Sequence, residues 1–278
     1  MFEGRRLLIA TKHQKEQVIA PILEQGLGVQ CFVPENYDSD IFGTFSGEIN
    51  RKDTAWKTVR AKCLTAMEQF DFDLGIASEG SFGSHPSIFF AQADDEFLIF
   101  IDKKNDLEIV VRELSLDTNF YGENILNTEM LLDFANKVQF PSHAILLRTK
   151  PDDITGLVKG ITTNSHLEDS FQLLMCIHGS VYAETDMRAM YNPTRMGVIK
   201  IAAQKLLNAI KSECPSCKTP GFCVTDSKQG LPCSWCSAPT RSTLSFIYSC
   251  KKCSFSSEKM YPHQKTTEDP GFCDSCNP

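Results

Sequence analysis

Apolar positions in residues 1–210 alternate between short continuous runs and stretches with helical spacing. The run Arg5–Ala10 predicts a strand, and residues 15–25, whose large apolar side chains recur three and four positions apart, predict a helix. Thr54 is a favourable N-cap for a second helix. Further strands are predicted at 29–33, 74–77, 88–91, 96–101, 108–113, 144–148 and 180–184, and further helices at 128–138, after the capping box Ser165–Glu168, and at 193–210. This alternation predicts an α/β fold in which helices flank a mixed sheet.

Residues 211–278 have a different pattern, with few large apolar side chains and nine of the 12 cysteines of the chain. Eight of them form four CxxC pairs: Cys214/Cys217, Cys233/Cys236, Cys250/Cys253 and Cys273/Cys276. Each pair is a knuckle that can hold one metal ion, and two knuckles complete the tetrahedral shell of four cysteines that zinc prefers. The pattern predicts a small ribbon-like module with two structural zinc ions over residues 211–278, after an α/β domain over residues 1–210.

Four knuckles can pair in three ways, and their spacing leaves the choice open. We expect a nested arrangement, because the strand-like segment Leu244–Tyr248 leads from the second knuckle into the third as in a zinc ribbon. The first and fourth knuckles would then share the other ion, with Cys223 and His263 outside both shells. A disulfide framework is the alternative use of these cysteines, and a reducing compartment disfavours it.

Composition and charge exclude several classes of protein. With 42% hydrophobic and 23% charged residues the chain is neither disordered nor fibrous. Even an apolar run as long as Phe97–Ile101 is too short to cross a bilayer. The N-terminus lacks the apolar core of a secretory signal, so we expect a cytoplasmic protein without a membrane partner. Residues 1–210 carry 20 Lys and Arg against 29 Asp and Glu, which argues against wrapping of duplex nucleic acid. Residues 211–278 carry eight against six, and their lysines and aromatic side chains could contact nucleic acid or protein.

Basic residues gather at two predicted strand-to-helix junctions of this acidic body. They are His13 and Lys15 at the first junction, together with the neighbouring hydroxyl of Thr11, and Arg188 and Arg195 at the second. A helix N-terminus already carries partial positive charge, so extra cations there are favourable when an anion binds among them. The junctions predict a site for the phosphate or carboxylate group of a small molecule. Internal pairing with neighbouring carboxylates, Glu16, Glu184 or Asp186, is the alternative.

A small-residue loop is predicted over Ala77–Pro86, directly after a buried strand. Loops at the carboxyl ends of strands commonly bind ligands in α/β sheets, and glycine lets a ligand approach the backbone. In this loop Glu79 is a candidate base or metal ligand, and His85 is a candidate proton carrier. Asp40, in a second polar loop, could complete an Mg²⁺ site with Glu79. The alternative for this second loop is an ordinary polar loop.

The order of these motifs resembles the house-cleaning nucleoside-triphosphate pyrophosphatases that act on inosine and xanthosine nucleotides. Ala10–Lys15 is similar to their basic turn after a strand that ends in Ala-Thr, and Ile76–Gly80 is similar to their acidic, glycine-containing loop. The resemblance covers about residues 1–85. His13 stands in place of the usual Asn, and Lys57 and Thr58 stand where an acidic metal-binding pair is often found.

Nearly the whole chain is similar to an uncharacterised bacterial family. The segments that carry this similarity are ATKHQKE, FGTFSGE, ASEGSFG, DMRA and NPTR, followed by the paired zinc knuckles. This resemblance implies no particular activity, so two hypotheses stand. In the first, the protein hydrolyses a nucleotide or related phosphate ester; Glu79 and Asp40 hold Mg²⁺, Lys15, Arg188 and Arg195 bind phosphate, and His85 assists proton transfer. In the second, a non-catalytic protein binds an anionic ligand and docks on nucleic acid or protein through its zinc module.

Overall fold

A computed structural model describes residues 1–38, 53–88 and 90–277. The chain divides into two compact units, residues 1–207 and residues 208–278. Among the helices of the described residues, none combines the length and the apolar character that a membrane crossing needs.

Five strands of the first unit form a mixed sheet. They are β1 (Arg6–Ala10), β2 (Gln30–Phe32), β3 (Leu74–Ser84), β4 (Gln92–Asp102) and β5 (Leu107–Ser115), in the order β2-β1-β3-β4-β5. β1 is parallel to β2 and β3, whereas β3, β4 and β5 are antiparallel neighbours. Residues that pair directly point to the same face, so Ala77 and Ile99 share one face while Gly80 and Glu96 share the other.

Helices α1 (Glu16–Leu27), α2 (Ala55–Gln69) and α5 (Pro193–Lys211) accompany this sheet. Thr54 caps α2 by accepting a hydrogen bond from the N–H of Lys57, and the buried stripe of α2 packs on the sheet face that carries Ala77 and Ile99. α5 contacts the opposite face through Arg195, which pairs with Glu96. The two faces of the β3–β4 hairpin therefore meet different helices.

A second sheet in the same unit has its own core. Its strands are β6 (Gly122–Ile125), β7 (Ile145–Arg148), β8 (Val158–Ile161) and β9 (Val181–Thr185), in the antiparallel order β6-β9-β7-β8. Helices α3 (Thr128–Lys137) and α4 (Asn164–His178) contribute Phe134 and Phe171 to a core that also contains Leu147 and Ala183. The expected α/β fold with a mixed sheet flanked by helices is confirmed, with a second sheet that periodicity did not separate from the first.

The second unit is built on three antiparallel strands. They are β10 (Cys223–Gln229), β11 (Thr243–Ser249) and β12 (Ser256–Met260), and β11 lies in the middle. Its apolar core is small, consisting of Cys214, Phe222 and Cys250 with Tyr248 packed against them. Folds of this size with so little buried apolar surface usually need crosslinks or metal for their stability.

Several local expectations are corrected. The predicted loop Ala77–Pro86 is mostly strand, because β3 stays paired with β4 through Ser84; the chain turns only after it, and no strand forms at 88–91 in its described residues. Helix α4 is capped by Thr163 and not by Ser165. Small residues in β3 are tolerated because β4 pairs with the strand over its whole length, and β1 pairs with it at Gly75–Ala77.

Candidate functional site

The four CxxC pairs share a backbone conformation. In each pair the carbonyl of the first cysteine accepts a hydrogen bond from the N–H four residues later; these donors are Lys218, Ser237, Ser254 and Asn277. In the first three knuckles the donor residue is left-handed, with φ of 60°, 61° and 58°, and the first cysteine's own N–H bonds to the carbonyl five residues later. The repeated turn lets both thiols of a knuckle face one ion.

The three strands of the second unit decide which knuckles meet. The first knuckle precedes β10, the second and third lie in the connections on either side of β11, and the fourth follows β12. Each antiparallel strand reverses the chain, so successive knuckles lie at opposite ends of the sheet. The first and third meet at the end where Cys223 pairs with Ser249, and the second and fourth meet at the other. The nested pairing expected from the sequence is therefore wrong, and the knuckles are interleaved.

The eight cysteines form two clusters that can each hold a metal ion. The first cluster is Cys214, Cys217, Cys250 and Cys253, and the second cluster is Cys233, Cys236, Cys273 and Cys276. Across the first cluster the Sγ atoms are 3.7 and 3.6 Å apart, and across the second 3.9 and 3.6 Å. Four sulfurs about 2.3 Å from a central ion in a tetrahedron lie about 3.8 Å from each other. The observed spacing fits that shell.

Hydrogen bonds prepare some of these thiols for coordination, since a metal binds the thiolate. The Thr219 hydroxyl, with the Thr219 N–H, lowers the pKa of Cys217 to about 6. Backbone N–H groups of Ser275 and Cys276 lower the pKa of Cys273 to about 7. Each cluster thus contains a cysteine whose pKa lies below the usual value of a thiol.

In the first unit, six charged side chains form a second candidate site, which we call the buried ionic cluster. They are Lys15, Lys62, Glu79, Asp94, Glu96 and Arg195, all buried. Lys15 lies at the start of α1, after the carboxyl end of β1, and its Nζ donates to the Ser78 hydroxyl at 2.9 Å. Burial lowers the pKa of Lys15 to about 8, and the neighbouring Arg195 guanidinium adds to this shift. Buried groups with displaced pKa values are typical of functional sites.

The two ion pairs of the cluster lie on opposite faces of the β3–β4 hairpin. On the α2 face, Lys62 donates to Glu79 Oε2. On the α5 face, Arg195 Nε donates to Glu96 Oε1 at 2.6 Å, and its NH1 donates to the carbonyl of Met187 at 2.5 Å. The α5 pair is positioned by the buried Asn192, which caps the helix by accepting the N–H of Arg195 at 3.0 Å.

Asp94 lies on the same sheet face as Glu96, two residues away along β4. It is fully buried, and among the described residues neither of its carboxylate oxygens has a hydrogen-bond partner; the same holds for Oε2 of Glu96. Burial raises the pKa of Asp94 to about 8, and the nearby Glu96 carboxylate adds to this shift. Buried polar atoms in folded proteins are usually hydrogen-bonded, so three buried oxygens without a donor are exceptional.

The other site residues predicted for the first unit are not members of the buried ionic cluster. Thr11 is buried and accepts the N–H of the half-buried His13 at 3.4 Å. Arg188 makes a two-pronged ion pair with Asp186, which is the internal pairing considered above. The Nδ1 of His85 accepts backbone N–H groups in the turn after β3. His85 lies six residues beyond Glu79, about 20 Å along a strand, so the two cannot act together. Asp40 lies outside the described residues.

Sequence reasoning missed Lys62, Asp94 and Glu96. Lys62 precedes Cys63 on the stripe of α2 that faces the sheet, where a charged residue is exceptional. Asp94 and Glu96 are two positions apart at the start of an apolar strand, which places both carboxylates on one inward face. In the sequence Asp94–Asp95–Glu96, the first and third side chains of a strand share one face, and this pattern could have predicted both buried carboxylates.

Comparisons with known proteins add a family and little else. A family model described as a domain of unknown function, DUF6671, matches residues 62–278, which include all eight knuckle cysteines. No curated protein matches the chain. Among solved structures, the chain is similar to protein VC0702 from Vibrio cholerae with 8% identity, an alignment covering 74% of this chain and 94% of that one, and a TM-score of 0.30. A likeness at that score carries no argument, and the resemblance to triphosphate pyrophosphatases stays a prediction.

Proposed function

The chain belongs to the DUF6671 family of unknown function, and we propose that its first unit binds and hydrolyses a phosphate-bearing small molecule such as a nucleotide. The observation that supports this most directly is the environment of Lys15. Its ammonium group is buried, its hydrogen-bond partner is the Ser78 hydroxyl, and no carboxylate of the described residues forms an ion pair with it. A buried ammonium group without a direct ion pair is costly, and a bound anion would lower that cost.

Phosphate is the anion that this position favours. Lys15 immediately precedes α1, whose first backbone N–H groups and dipole attract negative charge. The guanidinium of Arg195 lies close enough to lower the pKa of Lys15, so a second cation acts on the same space. Strand-to-helix turns at the carboxyl end of a parallel strand commonly hold phosphates.

Hydrolysis is proposed because buried carboxyl groups on both faces of the β3–β4 hairpin interact electrostatically with this lysine. Glu79, oriented by Lys62, and the pair Asp94 and Glu96 can serve as acid–base groups or as ligands of a catalytic cation. The alternative is a non-catalytic protein that binds the same anion. Turnover separates the two, whereas anion binding is common to both.

The experiment measures binding of inorganic phosphate and release of phosphate or pyrophosphate from common and deaminated nucleoside triphosphates, with and without Mg²⁺. Lys15→Ala should lose at least tenfold in phosphate affinity and should abolish turnover. The control is Lys12→Ala in the same loop, because Lys12 is exposed and pairs with Asp38. Equal affinity in wild type and Lys15→Ala would refute the site, and binding without turnover would leave the non-catalytic alternative.

For the second unit we propose two structural zinc ions, one in each cysteine cluster. Support comes from the tetrahedral spacing of the sulfurs and from the small apolar core, which leaves metal binding to supply the folding energy. Purified protein should contain about two zinc ions per chain. A strong chelator should make residues 208–278 sensitive to protease while the first unit stays protected; resistance of both units after complete zinc removal would refute a structural role. Docking of this unit on nucleic acid or protein remains a proposal.

A further inference from the structure

Three carboxylate oxygens in the buried ionic cluster have no hydrogen-bond donor among the described residues. They are Oδ1 and Oδ2 of Asp94 and Oε2 of Glu96. Each is buried, and none accepts a hydrogen bond from any described residue. Leaving even one such acceptor unsatisfied costs about 1–3 kcal/mol, so three together indicate a missing partner.

The positions of the two side chains suit one shared partner. Asp94 and Glu96 alternate with Asp95 along β4, so their carboxylates leave the same face of the strand about 7 Å apart at the backbone. Opposite Glu96 stands Gly80, whose missing side chain leaves the space that Oε1 of Glu96 and NH2 of Arg195 occupy. Arg195 Nε donates to Oε1 of Glu96 at 2.6 Å and so fixes that carboxylate, while its Oε2 accepts no hydrogen bond from a described residue.

We propose that Asp94 and Glu96 bind a divalent cation, Mg²⁺ or Mn²⁺, through these three oxygens. Hard divalent cations prefer carboxylate oxygens, and Mg²⁺ sites commonly use one or two carboxylates, with water and substrate phosphate as the remaining ligands. The ion would lie on the α5 face of β4, which carries the Arg195–Glu96 pair, while Glu79 is committed to Lys62 on the α2 face. The role of the ion in contacting substrate phosphate rests on the proposed function, but the site itself does not.

The test is a titration of the full-length, zinc-loaded protein with Mn²⁺ alone. Electron paramagnetic resonance measures the free Mn²⁺ at each step. Wild type should bind one Mn²⁺, Mg²⁺ should compete for it, and Asp94→Asn should weaken binding at least tenfold. Asp95→Asn is the matched control, because Asp95 is on the opposite face of the same strand and pairs with Arg112. Mn²⁺ should also raise the melting temperature of wild type and Asp95→Asn but not of Asp94→Asn, whose own cooperative melting checks that the variant is folded.

Absence of Mn²⁺ binding to wild type, or equal binding by Asp94→Asn, would overturn the inference. Phosphate binding, measured without metal, is a separate readout. Lys15→Ala should lose phosphate and keep Mn²⁺, whereas Asp94→Asn should lose Mn²⁺ and keep phosphate. Mn²⁺ binding by a wild type that binds no phosphate would support the cation site while refuting the proposed function.

Discussion

Gly80 lies directly opposite Glu96 in the β3–β4 ladder, and its missing side chain leaves the space in which Glu96 meets Arg195. A Cβ on Gly80 would collide with Oε1 of Glu96 and would lie 2.6 Å from NH2 of Arg195. The glycine is therefore required by the buried ion pair of its neighbour and not by its own backbone conformation.

Gly80→Ala should destabilise the protein by about 1–3 kcal/mol, the usual cost of overpacking a buried site. The free energy of unfolding is measured on the whole protein by urea denaturation, with circular dichroism as the probe. Gly197→Ala is the control: this exposed glycine of α5 has nothing within 4 Å of an added Cβ, and alanine should be neutral or stabilise the helix by up to about 1 kcal/mol. Equal stability of wild type and Gly80→Ala would mean that the ion pair is not held as described.

Phosphate affinity should fall as the pH rises from 7 to 9. The pKa of Lys15 is lowered to about 8, so the lysine is mainly charged below this pH and mainly neutral above it. Loss of that charge should weaken binding about tenfold over this range. Lys15→Arg keeps its charge throughout, so its affinity should change less, and titration calorimetry of both proteins makes the comparison. Identical pH profiles would show that Lys15 does not titrate in the site.

Glu79→Gln should destabilise the first unit by about 3 kcal/mol, because it leaves the buried Lys62 without its charged partner. Lys62→Met should have a similar cost for the converse reason. The double variant Lys62→Met/Glu79→Gln should be less destabilised than the sum of the two, since neither charge is then left alone. Strict additivity in chemical denaturation would indicate that the two residues do not interact.

Zinc content distinguishes the interleaved pairing of the knuckles from the nested one. Cys217→Ser/Cys250→Ser removes two ligands from the first cluster and should leave about one zinc ion per chain. Cys217→Ser/Cys273→Ser damages both clusters and should leave almost none. Nested pairing predicts the reverse order, so elemental analysis of the two variants decides the matter.

Local patterns predicted much of the fold. Strand β1 and helix α5 begin and end close to their expected limits, and α2 begins after its expected cap, because caps and apolar spacing act within a few residues of chain. β3 was shortened in the prediction because its small residues resemble a loop, and only pairing with β4 over its whole length makes them a strand. β6 and β8 are four residues each, like β7, but their sequences, GENI and VKGI, lack the apolar run ILL that marks β7.

The sequence alone determined which cysteines make up the clusters, because a CxxC turn brings two thiols together within four residues. Which turns share an ion depended on three antiparallel strands that reverse the chain between knuckles. The same division holds in the first unit. Lys15 could be recognised from its place between a strand and a helix, but its neighbours Lys62, Asp94 and Arg195 come from elements that are distant in the sequence. Only tertiary packing brings those charges together and removes them from water, and that burial shifts the pKa values of Lys15 and Asp94.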